Sequence, residues 1–131
     1  MTVGRNLETI RRFYGAGPAL DDSDRLAFFA PDAVWHVPGN NPVSGPYHGP
    51  AAITTEIAAR MEPVDRWEIE VVDVMGNDDM VVATVRLRAR RGGVEVNTNG
   101  AHVFRLNAHG QVVEAWGFTA DQAALDGLFR A

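Results

Sequence analysis

Between Arg66 and Phe118 apolar and polar side chains alternate with a period of two, and this limits the fold more than any other feature of the chain. Trp67, Ile69 and Val71 alternate with Glu68 and Glu70; Val81, Ala83, Val85, Leu87 and Ala89 alternate with Val82, Thr84, Arg86, Arg88 and Arg90. Gly76-Asn77-Asp78-Asp79 and Gly92-Gly93 separate these runs as hairpin turns. A third strand is predicted from about Val94 to Leu106, with a turn at Asn107-Ala108-His109-Gly110 and a last strand from about Gln111 to Phe118. Strands this long that stay amphipathic have to curl, and the apolar face of the curl needs a cover.

Upstream segments with helical spacing supply that cover. Val3, Leu7, Ile10 and Phe13 or Tyr14 share one face of a first helix, with Thr2 as cap and Gly15-Ala16-Gly17-Pro18 as stop. Asp22 to Phe29 fits a short second helix, its acids Asp22 and Asp24 suited to the N-terminal dipole. Gly49 as N-cap and Pro50 as first residue open a third, whose stripe is Ile53, Ile57 and Met61 and which ends before Pro63. A closing helix follows the capping-box pattern Thr119-Ala120-Asp121-Gln122, with Leu125, Leu128 and Phe129 on its buried side. The expectation is an α+β fold: a curved antiparallel sheet with three N-terminal helices packed on one face to form a cone, plus a short C-terminal helix, with residues 1–131 as one domain.

Absences narrow the chemistry. All twelve basic residues are arginine, so a lysine Schiff base and the lysine of a phosphate-binding loop are excluded. There is no cysteine, and neither Ser23 nor Ser44 sits in a Gly-x-Ser-x-Gly elbow. Any reaction must run on His, Asp, Glu, Tyr, Arg and water. A net charge of −5 argues against a nucleic-acid partner. With neither a long apolar run nor a signal-like start, the chain is expected to be cytoplasmic with no membrane partner.

The segment Pro31–Pro50 concentrates unusual side chains: two of four histidines, one of three tryptophans and five of seven prolines. Asp32 to Val37 reads as a strand carrying Trp35 and His36, ended by Pro38-Gly39. Pro42, Gly45, Pro46, Gly49 and Pro50 then make a stiff, turn-rich loop holding Tyr47 and His48, as at the mouth of a pocket. On the third long strand, if Ala101, Val103 and Arg105 face outward, His102 and Phe104 face into the cone. Gly100, between Asn99 and that run, could be a bulge that shifts this parity.

The signature Trp35-His36-Val37-Pro38-Gly39 with Ser44-Gly45-x-Tyr47-x-Gly49, then His102-Val103-Phe104-Arg105 and Gly110-x-Val-Val-Glu-Ala-Trp116, resembles the SnoaL-like branch of the nuclear-transport-factor-2-like superfamily. Ketosteroid isomerases and polyketide cyclases share that superfamily. The resemblance implies a cystatin-like α+β barrel around a small-molecule cavity, and it leaves the reaction open, because this fold hosts isomerases, cyclases, hydrolases and plain binding modules.

Carried over residue by residue, the general-base Asp of the isomerases falls on Val37, and their protonated oxyanion-hole Asp falls on His102. The oxyanion tyrosine corresponds to Tyr14. SnoaL-type cyclases pair an Asp with a His, and the acid at the end of the last strand is Asp121, with Trp116 as the alternative occupant of that place. The candidate catalytic residues are therefore His102, Tyr14 and Asp121. The candidate substrate-binding residues are Trp35, Val37, Tyr47, His48, Phe104 and Trp116. No cofactor is expected, and no metal, since His36, His48 and His102 lack ligand spacing. The expected ligand is a small hydrophobic carbonyl compound or epoxide, the expected assembly a homodimer through the open sheet face. The alternative is a non-catalytic domain with a vestigial cavity, and His102 reads either as an acid/base group or as a hydrogen-bonded pocket histidine.

Overall fold

The computed structural model of the chain describes residues 2–15 and 26–130. Helix α1 (Thr2–Gly15) is followed by strands β1 (Phe29–Val37) and β2 (Gly45–His48). A π-helical stretch, Ala52–Glu56, then runs into the α-helix Ile57–Arg60, and the two together form α2. The long meander comprises β3 (Arg66–Gly76), β4 (Met80–Arg91), β5 (Val94–Leu106) and β6 (Val112–Thr119), and α3 (Gln122–Leu128) closes the chain.

One curved sheet holds all six strands in the order β2-β1-β6-β5-β4-β3. Neighbours are antiparallel except β1 and β6, which run parallel, so the sheet is mixed where a purely antiparallel one was expected. Among the described residues two helical segments precede the meander and one follows it. Of the helix expected from Asp22 to Phe29, the acids Asp22 and Asp24 lie outside the described residues, and Phe29 opens β1 instead. Strand β6 claims that backbone: the Val112 N–H donates to the Phe28 carbonyl at 2.8 Å and Phe29 is in register with Val112. The proline-rich segment expected as loop forms β2, which is possible because Pro46 lies on an edge strand, where its missing N–H leaves no partner unsatisfied.

Alternation places one face of the meander inward. Val81, Ala83, Val85, Leu87 and Ala89 of β4 are buried, while the arginines between them are exposed. Register shifts between Val71 and Asp73 in β3 and between Arg105 and Leu106 at the β5–β6 pair insert bulges, which sharpen the local twist. The β4–β5 ladder runs unbroken from Met80↔Arg105 to Arg91↔Val94, so Gly100 is no bulge and the inward parity of His102 and Phe104 holds. Gly100 instead permits close approach, since a Cβ there would stand 2.4 Å from the Phe118 carbonyl oxygen.

Helix α1 lies across the inward face with Ile10 fully buried and Leu7, Phe13 and Tyr14 packed against the core. Two polar ties fix its position: the Asn6 side-chain amide donates to the Asp78 carbonyl at 3.0 Å, and Arg5 donates to the Ala108 carbonyl at 3.1 Å. Both acceptors sit on hairpin turns, the β3–β4 and β5–β6 turns at the same end of the meander, so this end holds the helix by two bonds. Helix α3 has its own small cluster, Leu125 and Leu128 against Leu87, Ala89 and Val96. Its cap is Asp121 rather than Thr119, the carboxylate accepting from the Ala124 N–H at 3.1 Å.

Gly100→Ala is expected to lower stability by more than about 2 kcal/mol, because the clash is with backbone that two ladders hold in place. Urea denaturation should show a lower midpoint with an unchanged slope.

Candidate active site

The cone encloses a cavity of about 560 Å³, within the range of small-molecule sites. Its walls are mostly apolar. Helix α1 contributes Phe13 and Tyr14, β1 contributes Trp35 and Val37, and α2 contributes Ile53 and Ile57. Trp67 and Ile69 of β3 and Leu125 of α3 complete the far side.

At the inner end the Tyr14 hydroxyl is hydrogen-bonded to His102 Nδ1. Helical spacing aims Tyr14 at the sheet one residue past Phe13, and strand parity aims His102 back at the helix. The two rings lie nearly parallel, 20° apart with centroids at 5.8 Å. The Trp35 ring meets the imidazole edge-on at 5.6 Å, and fully buried Phe104 lies behind both Trp35 and Tyr14 at 5.5 and 6.1 Å. Burial in this aromatic box lowers the His102 pKa to about 4 and raises that of Tyr14 well above the ordinary phenol range, so both groups are neutral near pH 7. Among the described residues His102 Nε2 has no hydrogen-bond partner.

The remaining sequence-predicted residues are distributed unevenly. Trp35 and Val37 line the cavity beside the dyad. Phe104 stands behind the wall rather than on it. Tyr47 is buried in the core, its hydroxyl donating to the Val43 carbonyl at 2.6 Å, and His48 is exposed on the edge strand. Trp116 points to the opposite sheet face, where it stacks on His36 at 5.7 Å, and His36 in turn contacts Glu114 at 2.7 Å. Asp121 is exposed and its carboxylate is engaged as the α3 cap, so it is not brought to the dyad.

Several lining residues were not singled out in the sequence. Phe13 is the aromatic hub, edge-on to Tyr14, Phe28, Phe29 and Phe104; the helical stripe left Phe13 and Tyr14 as alternatives, whereas both face inward. Asn41 lines the cavity while donating to Asp126 at 2.8 Å, which ties the β1–β2 loop to α3. Burial opposes ionisation of Asp126, but hydrogen bonds from Gln122, Asn41 and the Asn40 backbone, with the Arg130 charge, together hold its carboxyl below the usual range. No periodicity marks such a loop residue. The glycine that accompanies the tie, Gly39 at φ +91°, packs where a Cβ would strike Gln122 and Asp126.

Because His102 binds a proton far less readily folded than unfolded, the unfolded chain holds more protons between its ordinary pKa near 6.5 and about 4. Stability contributed by the neutral imidazole is therefore present above the upper limit and lost as pH falls through this window, by up to roughly 3 kcal/mol. His102→Gln should flatten that part of the stability–pH curve, read by urea midpoints from pH 7 to pH 4.

Comparison with known proteins agrees with this architecture. The sequence model of the SnoaL-like domain matches residues 10–115. An uncharacterized protein of Mycobacterium tuberculosis is 28% identical over 131 residues, covering 98% of this chain and 99% of its own. The structure of Bal32a, from a soil-derived mobile gene cassette, superposes with a TM-score of 0.88 at 26% identity over 99% of this chain and 100% of the other. A candidate SnoaL-like polyketide cyclase of Jannaschia sp. CCS1 shares the fold, with a TM-score of 0.78 at 22% identity over 99% and 95% of the two chains. A curved sheet closed by helices over an apolar hollow, matched along most of its length by one domain family, places this chain in the SnoaL-like family.

Proposed function

We propose that the protein is a cofactor-free acid/base enzyme acting on a small hydrophobic carbonyl compound or epoxide bound in the cone. The observation that carries this reading is a titratable imidazole, hydrogen-bonded to Tyr14, on the wall of an otherwise apolar cavity. In such a site a hydrogen bond to a developing oxyanion is worth far more than in water, since little solvent competes for it. A neutral histidine polarises such an oxygen by donating a hydrogen bond to it from its ring N–H. Trp35, Val37 and Phe13 would hold the apolar body, with Phe104 bracing them from behind.

No carboxylate lines the cavity among the described residues, and Val37 stands where the isomerases carry their base. That favours reactions begun by electrophilic activation over those begun by abstraction of a carbon-bound proton. It also supports a second reading, a binding domain without turnover. The open sheet face belongs to the proposal as well: Val103, Trp116 and the half-exposed Phe118 would meet a second copy across a two-fold axis.

Thermal-shift screening against ketones, steroids, polyketide fragments and epoxides should find a compound that raises the melting point. With that compound as substrate, His102→Ala is expected to lose about 10² to 10⁴ in kcat/KM while remaining folded by circular dichroism. Binding without turnover would leave the second reading, and unchanged turnover in the variant would overturn the role of His102. Sedimentation at micromolar concentration should show a dimer, and a monomer there would overturn the pairing.

A further inference from the structure

We propose that Tyr14 is a positioning residue whose hydroxyl holds His102 in the Nε2–H tautomer, so that this wall of the cavity offers a neutral donor and selects a ligand with an uncharged oxygen acceptor over a carboxylate or phosphate. This rests on the reading of the cavity as a small-molecule site and assigns Tyr14 a task other than contact with the ligand.

Three observations carry it. The first is the direction of the Tyr14–His102 hydrogen bond. A phenol O–H is far more acidic than the N–H of a neutral imidazole, and an imidazole nitrogen lone pair is the better acceptor, so the proton in O···Nδ1 belongs to the tyrosine. With Nδ1 accepting, the ring proton must sit on Nε2. Tyr14 has little freedom to do otherwise: Phe13 and Phe104 meet its ring edge-on at 5.2 and 6.1 Å, and its helix is anchored through Arg5 and Asn6.

The second is the access left to Nε2, which has no partner among the described residues. Gly117 of β6 lies beside this edge of the ring, where a Cβ would come to 3.8 Å from His102 Cδ2 and 3.2 Å from the Pro38 ring. Its missing side chain leaves the Cδ2–Nε2 edge uncovered on that side.

The third is charge. The described residues lining the cavity include no arginine, and the chain has no lysine. An ionised carboxylate or phosphate would enter with no counter-charge, which costs far more than one hydrogen bond returns. Burial keeps the imidazole itself uncharged near neutral pH, in line with this. Of the other polar liners, Thr54 donates to the Pro50 carbonyl at 2.8 Å, and Asn41 bonds Asp126 and the Val43 N–H.

Long-range ¹H–¹⁵N spectra of the ligand-free, ¹⁵N-labelled protein at neutral pH test the tautomer directly, with His102 identified by the signals lost in His102→Gln. The expected pattern is a protonated Nε2 and an unprotonated, hydrogen-bonded Nδ1. In Tyr14→Phe, which keeps the ring, the Nδ1 resonance should move further downfield as its donor disappears. A protonated Nδ1 in the native protein, or an unmoved Nδ1 in the variant, overturns the positioning role.

Ligand selection is read by titrating two probes of matched shape, 2-acetylnaphthalene and 2-naphthoate. The ketone is expected to bind at least about tenfold more tightly. Equal or tighter binding of the naphthoate overturns the selection for a neutral acceptor. Failure of both at millimolar concentration overturns the small-molecule reading, and the ligand class with it, while the tautomer still decides the task of Tyr14.

Discussion

A polar ring in an apolar hollow has to find a partner, and the hydrogen bond between Tyr14 and His102 meets that requirement from opposite sides of the cone. An unsatisfied buried donor or acceptor costs about 1 to 3 kcal/mol. Pairing the phenol with one imidazole nitrogen removes that penalty for the hydroxyl and for Nδ1 together. The same bond ties the first helix to the fifth strand, elements 88 residues apart in the chain, at the point where the cavity ends. The inner limit of the cavity and the chemistry of its wall thus meet in one contact.

The hollow survives because the sheet bends around it instead of collapsing onto the helices. Bulges in β3 and at the β5–β6 pair sharpen the twist, and glycines stand where backbone or ring atoms come closest: Gly100 against the Phe118 carbonyl, Gly117 against the Pro38 ring. Large side chains then brace the walls against one another. Trp35 touches the rings of Phe13, Phe29, His102 and Phe104, so no single wall residue can move inward without losing several edge-on contacts. Helix α3 closes the other side with its own apolar cluster and is fastened to the β1–β2 loop through Asn41 and Asp126.

The two faces of the sheet have separate uses, decided by side-chain parity. Inward, β5 presents His102 and Phe104 to the cone; outward, its Arg105 shares Glu114 with His36, and Trp116 stacks on that histidine. Two of the chain's four histidines are thereby put to unrelated tasks by strands that have only β6 between them in the sheet. Trp35 and His36, adjacent in sequence, are likewise divided between the cavity wall and the opposite face.

The meander was legible in the sequence because a half-buried strand writes its faces into a period of two, and the inward aim of His102 followed from the same parity. The first and last helices were legible from their apolar stripes, although the cap of α3 proved to be Asp121, two residues beyond the threonine that the box pattern favoured. Local pattern carries no record of which strands become neighbours. That β1 lies parallel beside β6, that the proline-rich stretch becomes an edge strand, and that Tyr47 and Asp121 are consumed by structural hydrogen bonds were decided only when distant segments met. The residue types alone limited the chemistry to imidazole, phenol, carboxylate and guanidinium groups and water. Tertiary packing chose among them, because whether a side chain stays available depends on what the fold brings within reach of it.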